Sequence, residues 1–336
     1  MKVDAGISYT TLTEVPALAR RAERLGIDGL WFSETTHDPF LGASLAVEHT
    51  TRVTVGTSVA IAFTRSPTLL AHLAWDLAAL SGGRFILGLG TQIKAHVERR
   101  FGMPWDAPAP RLRDAVQAIR AVWASWRTGA PLNYQGRFYR LTLMTPFFSP
   151  PSIAGDIPIM TAGVNPALCR TAGAVADGFQ VHPFHTPAYL RDVIRPAIEL
   201  GRRQGGRAGA PFTITATVFA VTGTTESERE VAREEAKRDI AFYASTRSYR
   251  GVLAHHGWEE VGDRLSALAK RGAWQAMAAE VTDEILDAFA VDASTAELGP
   301  RIVDRYTGLV DRIGLYAPFS AKIEPQIRSL LTAAQK

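Results

Sequence analysis

The feature of this sequence that most restricts its fold is a regular alternation of short strand-like runs with helical segments. Runs rich in β-branched and aromatic residues are each followed by a stretch whose apolar residues recur at helical spacing. Parallel strands joined by helices close most simply into a (β/α)8 TIM barrel, an α/β fold, and an open doubly wound sheet is the alternative. The eight predicted strands are Val3–Tyr9, Gly29–Phe32, the start of Arg52–Pro67, Gly83–Gly90, Ile157–Thr161, Gly178–Val181, Phe212–Val221 and Ile313–Ala317.

The alternation runs through the whole chain without an internal repeat or a low-complexity linker. A length of 336 residues suits one large barrel. We therefore predict a single TIM-barrel domain over residues 1–336, with insertions near residues 92–110, 128–157 and 240–300.

Composition and charge exclude several classes of function. The formal charge of +4 is mild and is not concentrated in a Lys/Arg run, so no nucleic-acid partner is expected. No apolar stretch approaches the length of a membrane helix, and no spacing of His and Cys residues indicates a metal site. Cys169 is the only cysteine, which rules out an internal disulfide and favours a cytoplasmic location.

Small or polar residues follow six of the predicted strands. In a parallel barrel the carboxyl ends of all strands meet at one mouth, where ligands bind. The repetition therefore predicts a ligand site, although each position alone is weak evidence. The residues are Tyr9 and Thr10, Ser33, Glu34 and His37, Thr57 and Ser58, Gly90 to Gln92, Thr161 to Asn165, and Gln180 to His185.

Several local motifs allow two interpretations. Gly163–Pro166 fits either an anion cradle of backbone N–H groups or a plain helix cap. His37–Pro39 fits either an imidazole–carboxylate pair or a turn with a capping aspartate. Gly88–Gly90 lacks the third glycine of a dinucleotide fingerprint. Tyr9 and Trp258 fit either the wall of a flat-ring site or ordinary core packing.

Four segments resemble the luciferase-like flavin and deazaflavin oxidoreductases, a superfamily of barrels. They are Ala22–Glu34, Thr54–Val59, Gly83–Thr91 and Ala172–Gly178, and the resemblance extends over nearly the whole chain. The chain is most similar to the actinobacterial branch that uses coenzyme F420, an 8-hydroxy-5-deazaflavin.

The resemblance implies cofactor-binding positions on three strands. The third strand of the family ends in a bulge with a non-prolyl cis peptide that backs the central ring, and the matching bond is Ser58–Val59. The end of the fourth strand lines the cofactor tail, and the end of the fifth receives its phosphate. The implied residues are Thr57, Ser58 and Val59, then Gly90, Thr91 and Gln92, then Ala162, Gly163 and Val164.

The sequence departs from the sugar-phosphate dehydrogenases of this branch at their proton-transfer residues. Glu34 and Thr35 stand where those relatives have Asp-His, and Ile93 stands where they have a glutamate. Glucose 6-phosphate is therefore not expected as the substrate. Glu34 is our candidate for a hydrogen bond to the ring or the substrate, and His37 for a proton donor or acceptor.

The resemblance thus predicts an F420-dependent oxidoreductase that transfers hydride between the deazaflavin and a small organic molecule. The alternatives are an FMN-dependent monooxygenase on the same barrel and a flavin-binding relative without activity. The family also leads us to expect a homodimer.

Overall fold

The computed structural model describes residues 1–335, and within them eight parallel strands close into a barrel. The barrel order is β1-β2-β3-β5-β8-β9-β10-β12, and β12 pairs with β1 to complete the ring. This confirms the predicted (β/α)8 TIM barrel. The strands are β1 (Lys2–Ile7), β2 (Gly29–Phe32), β3 (Thr54–Thr57), β4 (Ala60–Ile61), β5 (Phe85–Gly90), β6 (Tyr134–Gln135), β7 (Arg140–Leu141), β8 (Ile159–Gly163), β9 (Gly178–Val181), β10 (Thr213–Val221), β11 (Ala290–Asp292) and β12 (Arg312–Pro318).

Helices cover the outside of the barrel, and strand residues such as Leu30, Val55 and Leu87 are fully buried beneath them. No helix within residues 1–335 combines the length and the apolar character of a membrane span. The α-helices are α1 (Val15–Leu25), α2 (Pro39–Glu48), α3 (Pro67–Ser81), α4 (Lys94–Phe101), α5 (Pro108–Thr128), α6 (Pro166–Val175), α7 (Pro187–Tyr189), α8 (Arg195–Gln204), α9 (Glu226–Ala244), α10 (Arg250–His255), α11 (Glu259–Lys270), α12 (Asp283–Phe289), α13 (Thr295–Tyr306) and α14 (Glu324–Ala334).

The helices that follow three strands near the mouth begin in the same way. Asp38, Ser66 and Asn165 each accept a hydrogen bond from a first-turn amide at 2.8–3.1 Å, and each is followed by a proline at the first helical position. A capped first turn with proline ends the preceding loop sharply. The polar residues between strand and cap are therefore held at the mouth of the barrel.

The third strand is interrupted where the resemblance implies a bulge. β3 ends at Thr57, the Ser58–Val59 peptide is cis as expected, and pairing with β5 resumes at Ala60–Ile61. The strand-like run therefore does not continue evenly to Phe63, as its composition alone suggests. The interruption turns the Ser58 and Val59 backbone toward the barrel mouth.

Three elements were not predicted from the sequence. β11 adds a short strand beside the end of β10, outside the barrel, and α4 and α13 lie in segments that gave no helical signal. A strand of three residues is too short to show an alternating pattern. The hairpin of β6 and β7 does turn at Gly136, as expected.

Candidate active site

A cavity of about 630 Å³ opens at the carboxyl ends of the barrel strands. Its wall includes inward-pointing residues of the strands, because every second side chain of a barrel strand points inward, and some of their sequence neighbours as well. Gly6 has no neighbouring atom within 4 Å of the position of an added Cβ, so the cavity has free space beside this part of β1. The wall includes Asp4, Gly6 and Ser8, Trp31 and Ser33, Gln180 and His182, Thr215 and Thr217, and Gly314 and Tyr316.

A buried ion pair closes the floor. Arg312 donates to both carboxylate oxygens of Asp4, at 2.6 and 2.9 Å, and the two residues are only 3–4% exposed. Asp4 lies in the first barrel strand and Arg312 begins the last, so the pair joins the two strands that close the barrel. The charge that Asp4 brings to the cavity is therefore neutralised.

Glu34 reaches the cavity with its carboxylate already engaged. Oε2 accepts a hydrogen bond from the Ile61 amide at 2.7 Å, and both oxygens accept from Arg65 at 2.8–2.9 Å. The side chains of Glu34 and Arg65 are 6% and 12% exposed, so solvent screens this pair little. Glu34 thus fixes β4 against the second strand, and any contact with a ligand adds to these bonds.

His37 lies on the cavity wall beside Tyr9. The two rings stack with centroids 4.7 Å apart and planes 15° apart. Asp38 caps α2 and pairs with Arg65, so its carboxylate is used for the turn rather than for the imidazole. Burial, and then the Asp38 charge, raise the pKa of Tyr9, which keeps this phenol neutral near pH 7. His37–Pro39 is therefore a turn that presents its imidazole at the mouth.

The bulge after β3 packs on the end of β5. A Cβ added to Gly90 would lie 2.4 Å from Val59 Cγ2, so only glycine fits there without movement. Ser33 Oγ donates to the Ser58 carbonyl oxygen at 2.8 Å. Thr57 is fully buried and its hydroxyl donates to the Gly88 carbonyl at 2.6 Å, which ties β3 to β5.

The segment after β5 is held by a residue from the first insertion. Trp105 Nε1 donates to the carbonyl oxygens of Thr91 and Gln92 at 3.2 and 3.3 Å. Gln92 has a φ of 52°, a left-handed conformation that is unusual for a residue other than glycine. The indole therefore supports an otherwise disfavoured backbone whose side chain reaches the cavity wall.

The end of β8 combines both interpretations of the Gly163–Pro166 motif. Asn165 caps α6, as the plain cap requires. The amides of Val164 and Asn165 donate to no group among residues 1–335, so two N–H groups remain for an anion. A Cβ on Gly163 would lie 2.8 Å from Leu168 Cδ1, so this glycine is also needed for packing.

Aromatic and imidazole groups form the wall beside β9, β10 and β12. His182 Nδ1 accepts from the Phe184 amide at 3.1 Å, which leaves the Nε2 proton to be donated to Tyr249 Oη at 3.0 Å. Burial lowers the pKa of His182 to about 3, so the imidazole is neutral. Tyr243 and Tyr316 are hydrogen-bonded through their hydroxyls. Burial also raises the pKa of each of these two phenols.

The structure brings some of the predicted site residues to the cavity wall and places others behind it. Thr57, Gly90, Thr91, Gly163 and Val164 do not line the cavity. Trp31 and Tyr316 line the cavity but were not predicted as site residues. The alternation of inward-pointing residues along β2 and β12 could have indicated them. No sequence signal marked Asp239 and Tyr243 of α9 as cavity residues, because the sequence does not say how that helix is oriented. Glu34, His37, Ser58, Val59, Gln92 and Ala162 line the cavity.

Other candidates from the sequence lie away from this site. Trp258 stacks on His256, with centroids 4.5 Å apart, and does not reach the cavity. No group of His, Cys, Asp and Glu side chains in the described part of the chain could hold a metal ion.

Comparison with known proteins identifies the family. The sequence profile of the luciferase-like monooxygenases matches residues 1–312. An uncharacterised protein of Mycobacterium tuberculosis is 41% identical over 93% of this chain and 92% of its own length. The 5,10-methylenetetrahydromethanopterin reductase of Archaeoglobus fulgidus is 27% identical over 86% of this chain and 85% of its own.

A solved structure supports the fold assignment. The coenzyme F420-dependent tetrahydromethanopterin reductase of Methanopyrus kandleri matches 98% of both chains with a TM-score of 0.77 at 20% identity. Its barrel is the one described above. With the profile match over most of the chain, these findings show that the protein belongs to the luciferase-like monooxygenase family.

Proposed function

We propose that this protein is an F420-dependent oxidoreductase that transfers hydride between the deazaflavin and a small organic substrate. The observation that carries the proposal is the deep cavity at the barrel mouth, whose volume of about 630 Å³ falls in the range of cofactor and substrate sites. Proteins named as F420-dependent among the relatives and solved structures support the choice of cofactor.

The residues present fit a flat ring with an anionic tail. Ser58 and Val59 offer one wall for the ring, and the small Ala162 leaves room beside it. The unpartnered amides of Val164 and Asn165 suit the phosphate, because they open at the start of α6. Gln92, with Thr91 and Gly90 behind it, would line the path between ring and phosphate.

The cofactor would supply hydride chemistry at its C5 position, and the chain would supply orientation and exclusion of water. The Glu34–Arg65 pair holds β4 so that the wall at Val59 stays in place. His37 is near enough to the mouth to exchange a proton with a ligand, which keeps it as a candidate acid or base.

Cofactor identity is tested by reconstitution. Purified apoprotein is titrated with F420 and, separately, with FMN, and binding is followed by fluorescence and calorimetry. We expect F420 to bind at least tenfold more tightly than FMN. Preferred FMN binding with NADH- or light-driven oxygen consumption would instead favour the monooxygenase that the family description names.

Activity is tested by the oxidation of reduced F420 in the absence of oxygen. A panel of ketones, enones and imines is screened by the recovery of F420 absorbance. Substrate-dependent recovery supports the enzyme. Tight F420 binding without turnover of any acceptor, or of any alcohol with oxidised F420, would favour the non-catalytic alternative.

A further inference from the structure

The wall opposite the Ser58–Val59 bulge carries two phenols. Tyr316 lies near the end of β12 and Tyr243 on α9, and both line the cavity. In the barrel order, β10 lies directly across from β3, and β12 is the neighbour of β10. A substrate between the bulge wall and this one would therefore have the Tyr316 hydroxyl on the side away from the proposed ring site.

The hydrogen bond between the two hydroxyls joins groups in different surroundings. Tyr243 packs against the rings of His182 and Phe219, and its hydroxyl has Tyr316 as its one hydrogen-bond partner within residues 1–335. Tyr316 is 36% exposed. Either hydroxyl can donate in this geometry. We take the less exposed Tyr243 as the donor, because the more exposed Tyr316 can then give its own proton to a group in the cavity.

The charges on the wall restrict the substrate. Neither lysine nor arginine lines the cavity in the described chain. Of its three carboxylates, Asp4 and Glu34 are paired with arginines, and Asp239 on α9 has no ion pair in the described part of the chain. A phosphate or carboxylate would meet an unpaired negative charge there without a cation, whereas a neutral oxygen would meet a phenolic donor.

We propose that Tyr316 is the catalytic acid that donates a proton to the oxygen of an uncharged carbonyl substrate, with Tyr243 as its positioning residue. This inference rests on the proposed function. The carbonyl carbon gains a hydride with its two electrons from the reduced deazaflavin, the C=O π bond breaks, and the oxygen takes the Tyr316 proton to give an alcohol. The proton that the oxidised cofactor then loses returns through solvent to the phenolate.

The other titratable groups of the mouth are less suited to this role. The Nε2 proton of His182 is already donated to Tyr249. His37 lies beyond β2, two strands away from Tyr316 across β1, and remains the direct rival. The Tyr243–Tyr316 pair also has a route for proton replacement, because one hydroxyl can pass its proton to the other.

The experiment uses full-length protein saturated with oxidised F420 and ketone probes labelled with ¹³C at the carbonyl, cyclohexanone and cyclohex-2-en-1-one. The infrared carbonyl band of the bound ketone reports the hydrogen bond without turnover. We expect the band to move to higher wavenumber in Tyr316→Phe and by less in Tyr243→Phe. Tyr306→Phe, which removes a phenol buried outside the cavity, should leave it unchanged.

The kinetic arm uses whichever ketone is reduced fastest. Tyr316→Phe should lower kcat by about 10²–10⁴-fold with a small change in KM, and Tyr243→Phe by about tenfold. In a folded Tyr316→Phe protein that binds F420, an unmoved carbonyl band or an unchanged kcat overturns the assignment. The assignment is also overturned if His37→Asn loses kcat and Tyr316→Phe does not. Wild type that binds F420 but neither ketone overturns the substrate class, whereas wild type without F420 affinity overturns the proposed function itself.

Discussion

At the scale of single residues, the site depends on close contacts that leave no room for an extra methyl group. Gly90 is the clearest case, because its missing side chain makes space for Val59. Composition alone marks Gly90 only as a small residue at a strand end. The reason for glycine becomes visible once the bulge is seen to fold over β5.

We expect Gly90→Ala to destabilise the protein by about 1–3 kcal/mol, because the new Cβ must displace the Val59 side chain. Urea unfolding measures the loss. Val59→Ala in the same chain removes the contacted methyl groups and should restore much of the stability. A double variant that is no more stable than Gly90→Ala would show that the contact is not the cause.

His185 gives the protein a predictable dependence on pH. It is fully buried, Nδ1 donates to the His182 carbonyl at 2.9 Å, and Nε2 has no partner among the described residues. Burial lowers its pKa from 6.5 to about 4. Below pH 6.5 the unfolded chain binds a proton that the folded chain does not, so stability falls as the pH falls toward 4.

This single group should contribute a loss of about 1.4 kcal/mol per pH unit between those values. Urea unfolding of wild type and His185→Phe at pH 7.5, 6.0 and 5.0 measures it. The difference at pH 7.5 reports packing alone, because the imidazole is neutral in both states there. Equal slopes for the two proteins would contradict the prediction.

At the scale of elements, the first insertion supports the mouth of the barrel. Trp105 lies between α4 and α5 and holds the carbonyl groups of Thr91 and Gln92. The sequence marked residues 92–110 as an insertion but gave no sign of this support. A segment outside the barrel thus shapes the path proposed for the cofactor.

Trp105→Phe keeps an aromatic ring and removes the donor. One lost hydrogen bond of about 1 kcal/mol should weaken F420 binding about fivefold, with little change in melting temperature. Trp274→Phe, at a residue that is 54% exposed and outside the cavity, is the matched control. F420 affinity equal to wild type in Trp105→Phe would show that the hydrogen bonds of the insertion do not contribute to cofactor binding.

At the scale of the whole molecule, the Asp4–Arg312 pair joins the first and last barrel strands across 308 positions of sequence. Removing one partner leaves a buried charge without compensation. We expect Asp4→Asn to cost about 3–5 kcal/mol of unfolding free energy. The double variant Asp4→Leu with Arg312→Met should be more stable than Asp4→Asn, because it leaves no buried charge. A lower unfolding free energy for the double variant would show that the unpaired charge is not the cause of the loss.

Four expectations from the sequence concern the molecule as a whole. The closed barrel is confirmed. The single domain over residues 1–336, the homodimer and the cytoplasmic location stay predictions.

Local sequence patterns were enough to predict the barrel and the strand ends that surround its mouth. Alternation of strand and helix is a local property, so all eight barrel strands were predictable. Proline after a capping residue also marks where α2, α3 and α6 begin. The Ser58–Val59 bulge was predictable from the family resemblance.

Which side chains meet at the site became visible in the folded chain alone. The pairing of Glu34 with Arg65 and the approach of Tyr243 to Tyr316 join residues 31 and 73 positions apart. Such contacts depend on how loops and helices pack on the barrel, which is set by many residues and leaves no local pattern. The sequence therefore indicated where chemistry would occur, and the fold decided which groups are free to perform it.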